Sequence, residues 1–352
     1  MTFKRQIPGY VIFLACIATL SPSVFAMCTS PAVDVAVQAA IYGYAGCFGV
    51  DTTDAEELAN SGCIYQLNDD GTVNRTNAVS MAGIFSLCRR TDVKKADGMP
   101  VTFSRAIDAS TLDSGDFLVT LSDGSRIVPQ CATLSPADEA NEGRTVLLIG
   151  AFGDGLNGTI NPTKVEVVGD LCFYDDEGAP SISSVGAGLE ILNDPMMSYL
   201  DASIIIIDAE IRMFSTNGEA TLSSKGNVCY PNHCGAIFSE VSHVIRVTTN
   251  GGFTTNGLEG YANSDRSIFE VYFANGTHLD DPDAYIGIAD LGALLDDVEN
   301  EDHDNVYDLC LRLPVDEAEQ VSRVTMPCTG KGAGVPPKGF PACFANSFDL
   351  VG

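Results

Sequence analysis

Eleven carboxylates lie close together near the C-terminal end of the chain, between residues 280 and 308. Oxygen ligands at this density suit Ca²⁺, which takes roughly six to eight of them. The spacing is not that of an EF-hand, because Asp302 stands where that loop needs glycine and Asp308 where a bidentate glutamate is usual. A solvated acidic loop is the alternative interpretation. If calcium binds, we predict ligands from the centre of the segment: Asp296, Asp297, Glu299, Asp302 and Asp304.

A second group of possible ligands is the sequence "CYPNHC", which runs from Cys229 to Cys234. Its two thiolates and His233 could hold a metal. The two cysteines could also form a redox pair, although redox pairs prefer the Cys-x-x-Cys spacing. Because thiols are usually oxidised in an oxidising compartment, the sequence favours a disulfide that closes a small proline turn.

No group of residues has the spacing of a known catalytic site. The chain has four histidines, but no Gly-x-Ser-x-Gly and no His-Glu-x-x-His motif. His243 lies in the strand-like run "SHVIRV", where we expect a sheet-face residue, and His278 follows the Asn275–Gly276 turn, where we expect exposure. Paired carboxylates could serve a glycosidase, but no pair can be singled out among 47 acidic residues, and tryptophan is absent. The sequence therefore leans away from an enzyme.

The start of the chain and its charge indicate where the protein works. Lys4 and Arg5 precede an apolar run at residues 10–20, and "SVFA" ends in a cleavage-site pattern, so residues 1–26 are predicted to be a signal peptide. No later apolar run is long enough for a membrane span. A net charge of −28 makes nucleic acid and anionic membranes poor partners. We expect a secreted or cell-surface protein whose partner is an extracellular protein or glycan.

Cysteine usage fits that compartment, because 11 of the 12 cysteines follow the predicted cleavage site. The expected disulfides are local: pairs among Cys28, Cys47, Cys63 and Cys88, then Cys131 with Cys172, Cys229 with Cys234, and Cys328 with Cys343. Cys310 is then left unpaired. Sequons for N-glycosylation, which matter only in a eukaryotic source, stand at Asn74, Asn157 and Asn275.

The elements that must position these residues are predicted to be strands. The runs "VTF" (101–103) and "FLVTL" (117–121) alternate apolar and polar residues, and Asp123–Gly124 supplies the positive φ angles of a tight hairpin. This register places Phe103, Phe117 and Val119 in a core and leaves Arg105 and Ser122 largely exposed.

A longer pattern surrounds those two runs. Phe103–Ser104 ends the first run, and a crossing of the type hydrophobic-Asp-x-x-Thr-Leu follows at residues 107–112. With this pattern, residues 99–172 resemble a bacterial Ig-like module of the adhesin and cell-surface type. The resemblance implies a β-sandwich with adhesion, spacing or cell-surface roles, and it implies no catalytic residues.

A second copy of the module is indicated by "FLVTLSDGSRI" (117–127), which aligns without gaps on "FEVYFANGTHL" (269–279). An internal repeat and the convergence of two good hairpins both explain this match. We predict a mainly β protein with two Ig-like sandwiches after a cysteine-rich region. The expected segments are a signal peptide (1–26), a cysteine-rich region (27–95), two sandwiches (96–172 and 173–316) and a disulfide-tied tail (317–352).

The function expected from these features is non-enzymatic. A secreted or cell-surface binding, adhesion or matrix protein fits the composition and the resemblance, with calcium as a stabiliser if the acidic segment binds it. The alternative is a secreted hydrolase, for example one acting on polysaccharide, whose catalytic residues converge only in the folded chain.

Overall fold

The computed structural model of the chain describes most residues between 35 and 350. The described ranges are 35–40, 42, 44–63, 65–76, 78–135, 143–154, 159–169, 171–174, 183–185, 190–192, 206–214, 219–223, 226–230, 233–249, 266–290, 306–326 and 346–350. The predicted signal peptide lies outside them. Within these ranges, no helix has the length and apolar character needed to cross a membrane.

The chain is mainly β, as the sequence predicted, with short helices between the strands. The strands are β1 (Val37–Ala40), β2 (Tyr44–Phe48), β3 (Tyr65–Leu67), β4 (Val73–Thr76), β5 (Ala96–Phe103), β6 (Phe117–Leu121), β7 (Arg126–Ile127), β8 (Cys131–Thr133), β9 (Thr145–Gly150), β10 (Pro162–Val167), β11 (Leu171–Phe173), β12 (Ser183–Val185), β13 (Glu190–Leu192), β14 (Ile206–Met213), β15 (Glu219–Ser223), β16 (Gly226–Tyr230), β17 (His243–Thr249), β18 (Glu270–Phe273), β19 (Tyr285–Asp290), β20 (Val306–Leu311), β21 (Val321–Met326) and β22 (Asn346–Asp349). The helices are α1 (Ala55–Asn60), α2 (Met81–Cys88), α3 (His233–Ile237) and α4 (Val315–Ala318).

Two antiparallel sheets share one core and form what we call the first sandwich. One sheet has the order β1-β5-β9-β8, with β2 also paired to β5, and the other has the order β13-β10-β6-β7. The ring centroid of Phe103 in the first sheet lies 6.5 Å from that of Phe117 in the second. Phe103, Phe117 and Val119 are fully buried and Ser122 is exposed, as the alternation predicted, whereas Arg105 is only half-exposed.

The second sandwich is built in the same way from residues after 205. Its sheets have the orders β14-β17-β20-β19 and β18-β21-β22. Their facing residues form one buried cluster, in which Ile245 and Leu309 of the first sheet meet Val271 and Val324 of the second. Alternating apolar residues again supply the core, because each strand directs every second side chain inward.

Both sandwiches have the same strand order. β1, β5, β9 and β8 correspond to β14, β17, β20 and β19, and β13, β10 and β6 correspond to β22, β21 and β18. Even the bulges recur, between Val37 and Ala39 in β1 and between Ile206 and Asp208 in β14. The similar stretches 117–127 and 269–279 therefore occupy corresponding positions in two sandwiches of the same strand order, as an internal repeat would place them.

Each sandwich carries a helix that a disulfide ties to the outer face of its first sheet. Cys88 at the end of α2 is bonded to Cys131 in β8, and Cys234 in α3 is bonded to Cys310 in β20. Buried apolar side chains accompany each disulfide, including Ile84 of α2 over the first sheet. The helices thus cover sheet faces that would otherwise expose apolar surface to water.

The disulfides correct four of the expectations. Cys88 is bonded outside the N-terminal group, Cys131 is not bonded to Cys172, Cys229 is not bonded to Cys234, and Cys310 is not left over. The expected pairs were local, whereas the observed separations are 43 and 76 residues, because the helix folds back onto a strand that comes much later in the chain. Cys47 and Cys63 form a disulfide within the N-terminal group, and Cys172 is also disulfide-bonded. Cys328 and Cys343 lie outside the described residues.

Strand pairing crosses the segment boundaries that the sequence suggested after residues 95, 172 and 316. β1 and β2 pair with β5, β13 pairs with β10, and β21 and β22 complete the second sandwich. Local composition suggested the boundaries, whereas pairing joins strands that are far apart in sequence. The segment between β1 and β5 holds β2, α1, β3, β4 and α2, and the corresponding segment of the second sandwich, between β14 and β17, holds β15, β16 and α3.

Candidate functional site

A row of polar side chains crosses the outer face of the sheet β18-β21-β22. Tyr272 lies opposite both His278 and Arg323 on the neighbouring strands, and Arg323 lies opposite Asp349. Side chains directly opposite one another in a sheet are within contact distance. We call His278, Tyr272, Arg323 and Asp349 the polar row.

Strand alternation and one tight turn create this row. Val271 points into the core and is fully buried, so its neighbour Tyr272 points outward. Gly276 has a φ of +83°, which the hairpin turn requires and which glycine adopts without strain. The turn brings the chain back beside β18 and places His278 next to Tyr272, where it is exposed as the sequence predicted.

Tyr272 is the central residue of the row. The guanidinium carbon of Arg323 lies 4.5 Å from the centre of its ring, a cation–π contact. The imidazole of His278 lies 5.2 Å from the same ring, measured between centroids. The Tyr272 hydroxyl donates a hydrogen bond of 2.7 Å to Oε2 of Glu270, and this bond raises the pKa of the tyrosine. Its neighbours therefore hold the ring in one orientation.

Arg323 is the cation of the row, and it forms no ion pair with Asp349 opposite it or with any other residue that the structure describes. Within that part of the chain, its guanidinium makes neither a hydrogen bond nor an ion pair, and its Nε is buried without a partner. Only the two terminal nitrogens can therefore meet a molecule from solvent. Because stacking on Tyr272 fixes the guanidinium plane, these two donors are directed before any ligand arrives.

The row combines a cation, an aromatic ring, an imidazole and a carboxylate, which together can hold a ligand by charge, stacking and hydrogen bonds. The sequence alone did not identify it. One signal was available, because the alignment of the two hairpins sets Tyr272 against Thr120 and so marks an aromatic side chain on an outward strand position.

The sequence-predicted metal sites have different outcomes. All five proposed calcium ligands, at residues 296–304, lie outside the described residues, so calcium binding stays a prediction. The metal and redox interpretations of "CYPNHC" are wrong, because Cys234 is bonded to Cys310. Among the residues that the structure describes, no three His, Cys, Asp or Glu side chains are grouped closely enough to hold a metal ion.

Two other predicted positions can be located. His243 is 5 % exposed in β17, its Nδ1 lies 3.0 Å from Oγ of Ser242, and burial lowers its pKa. It is thus a sheet residue, as expected. Asn74 and Asn275 are exposed, while the sequon at Asn157 lies outside the described residues. Glycosylation stays a prediction.

Two buried carboxylates were not foreseen as structural groups. Asp308, at the edge of the acidic segment, forms a bidentate ion pair with Arg246, with N–O distances of 2.9 and 3.0 Å. Asp97 accepts hydrogen bonds of 2.7 Å from the N–H groups of Gly46 and Phe152. Burial raises the pKa of Asp97 to about 6. Both carboxylates connect separate segments, and neither adjoins the polar row.

Comparison with protein-family models, curated proteins and solved structures finds no match for this chain. The resemblance to Ig-like modules therefore stays a prediction, and the function must be argued from the repeat, the disulfides and the polar row.

Proposed function

We propose that the chain is a secreted or cell-surface protein without catalytic activity, which binds an extracellular partner and holds two sandwiches in a fixed arrangement. A glycan or an extracellular protein is the expected partner. The proposed setting is supported by the predicted signal peptide and by three disulfides within the described residues, since disulfides persist in oxidising compartments.

One observation carries this proposal: two sandwiches share one strand order, and each has a helix that a disulfide ties to it. Tandem modules extend a chain and present equivalent faces along it, which suits spacing and adhesion. A disulfide in each copy limits unfolding where no chaperone is present. These features support a spacing or binding role, and they require no active site.

The junction between the sandwiches also supports the proposal. Nη1 of Arg144 donates to Oδ2 of Asp208 in the second sandwich at 2.9 Å. Its Nη2 donates to Oε1 of Gln38 at 2.8 Å, and its Nε to the carbonyl oxygen of Phe103 at 3.0 Å, both in the first sandwich. One guanidinium thus joins three strands from two sandwiches, which restricts bending between them.

The proposal is tested by measuring binding and turnover with the same preparation of the mature protein. We expect saturable binding on an array of extracellular glycans and matrix proteins, and none after the disulfides are reduced and alkylated. Chromogenic polysaccharides should not be hydrolysed. Hydrolysis that copurifies with the folded protein and disappears on heat denaturation would favour the alternative of a secreted hydrolase.

A further inference from the structure

The polar row has a counterpart on the same face of the first sandwich. The counterparts of His278, Tyr272 and Arg323 are, in that order, Arg126, Thr120 and Lys164. The residue numbers differ by 152 for the first two pairs (278 − 126 and 272 − 120) and by 159 for the third (323 − 164). Both faces thus place a basic side chain on each side of a central residue, although the chain has only 19 lysines and arginines against 47 acids.

In the first sandwich a carboxylate lies between the two cations. Oε1 of Glu166 accepts a hydrogen bond of 2.9 Å from Nζ of Lys164, and its Oε2 accepts one of 3.1 Å from Nη2 of Arg126. The hydrogen bond from Lys164, followed by the charge of that lysine and the contacts with Arg126, lowers the pKa of Glu166. Both cations of this face therefore have a carboxylate partner within the chain.

The second sandwich lacks that carboxylate. β10 and β21 have the same alternation of buried and half-buried residues and the same bulge before the basic residue. Glu166 follows Lys164 by two positions, and the residue that follows Arg323 by two positions is Thr325. Glu270 does not replace it, because its carboxylate accepts the Tyr272 hydroxyl and forms no ion pair with Arg323.

We call the position beside Arg323 that lacks a carboxylate, at Thr325, the gap. We propose that it is a binding site for a carboxylate brought by a ligand, and that the ligand is a uronate residue of a glycan. The carboxylate would accept hydrogen bonds from both terminal nitrogens of Arg323, a bidentate arrangement that guanidinium groups favour. It would stand beside His278, where Glu166 stands beside Arg126 in the first sandwich. The inference rests on the proposed binding function, and it names the ligand of one surface.

The surroundings of the gap favour a sugar acid with isolated charges. A net charge of −28 repels a polyanion, so the ligand should bring one carboxylate on an otherwise neutral carrier. Asp349 lies opposite Arg323 on β22, and Glu270 lies opposite Thr325 on β18. The two carboxylates can accept hydrogen bonds from hydroxyl groups, which a sugar supplies. An extended glycan can also lie across the open face of a sheet without a deep pocket.

The test uses the full mature protein and a neutral oligosaccharide with one terminal glucuronate, observed by saturation-transfer NMR and titrated for affinity. Two matched probes accompany it, the same oligosaccharide with its carboxyl reduced to an alcohol and one with a sulfate ester instead. Thr325→Glu supplies the missing carboxylate from within the chain and should weaken binding at least tenfold, roughly the effect of one lost charge-assisted contact. Thr120→Glu adds the same charge to the first sandwich and should leave binding unchanged.

Arg323→Gln provides a second variant, with the melting temperature of each variant measured to confirm folding. Loss of binding in Arg323→Gln and Thr325→Glu, together with preference for the glucuronate probe over both analogues, supports the site. Equal binding of the reduced or sulfated probe, or unaltered binding by folded Thr325→Glu, overturns it. If these variants still bind the glycan array, the proposed binding function stands without this site, whereas a wild-type protein that binds nothing on the array contradicts both.

Discussion

Replacing Asp97 by asparagine tests how burial and hydrogen bonding compete at one carboxylate. Asp97 is 4 % exposed at the start of β5, and it accepts hydrogen bonds from the N–H groups of Gly46 in β2 and Phe152 after β9. Burial raises its pKa from 3.8 to about 6, against the hydrogen bonds from Gly46, Phe152 and Tyr42, which lower it. Desolvation is therefore the larger effect.

The magnitude follows from the two pKa values. The folded value of about 6 exceeds the unfolded value of 3.8 by roughly 2 units, which corresponds to about 3 kcal/mol. Because the folded pKa is the higher one, this contribution to stability is fully present below pH 3.8 and is lost as the pH rises through about 6. The asparagine of the variant carries no charge at any of these pH values, so its side chain causes no loss of stability as the pH rises. It also has one oxygen acceptor for two N–H donors, which costs about 1–3 kcal/mol at every pH.

The assay is urea denaturation of wild type and Asp97→Asn at several pH values between 4 and 7, at constant ionic strength. Far-UV circular dichroism is the signal, because the chain has no tryptophan. The unfolding free energy of the wild type minus that of the variant is the quantity to compare, because the pH-dependent contributions of the other carboxylates cancel in it. This difference should fall by up to about 3 kcal/mol as the pH rises. A constant difference would refute the raised pKa. A difference that grows with pH would mean that the hydrogen bonds outweigh burial.

Three further predictions concern the junction, the disulfides and calcium. Arg144→Gln should loosen the two sandwiches, seen as a larger radius of gyration in X-ray scattering, with roughly 1 kcal/mol or less lost from stability because Asp208 is 35 % exposed; an unchanged scattering profile would contradict this. Non-reducing peptide mapping should recover Cys88 linked to Cys131 and Cys234 linked to Cys310, and a Cys131–Cys172 peptide in the folded protein would disprove the former. Millimolar calcium should raise the melting temperature relative to chelator, whereas an equal rise with magnesium would reduce the effect to charge screening.

Most of what the sequence predicted correctly depends on neighbouring residues. The alternation around Phe117 identified its buried face, because a strand directs successive side chains to opposite sides. The sequence also placed turns at Asp123–Gly124 and Asn275–Gly276. Only the glycine of each pair has a positive φ angle, as in a type I turn followed by a left-handed glycine, so the expected two-residue turn is wrong in type. These local signals were enough to predict a mainly β chain and to suggest its repeat.

The candidate site could not be predicted from the sequence, because its side chains lie on strands that become neighbours only in the folded chain. Arg323 is an ordinary basic residue in the sequence, and Thr325 two positions later carries no signal by itself. Only the pairing of β18 with β21, compared with that of β6 with β10, shows that Thr325 occupies the position at which Glu166 pairs with two cations in the first sandwich. The sequence instead predicted a metal site in the acidic segment, because a high density of carboxylates can be recognised without knowing the fold.

The sequence by itself determined that the chain is mainly β, which face of residues 101–103 and 117–121 is buried, and where the Asp123–Gly124 and Asn275–Gly276 turns lie, because side-chain alternation and turn conformation act over a few residues. Only the tertiary structure decided which distant groups meet: Cys234 with Cys310 across 76 residues, Arg144 with Asp208 between the sandwiches, and Asp97 with the N–H of Phe152. Those contacts follow from strand order. Strand order is set by packing two sheets around one core, a property of the whole chain that no short stretch of residues contains.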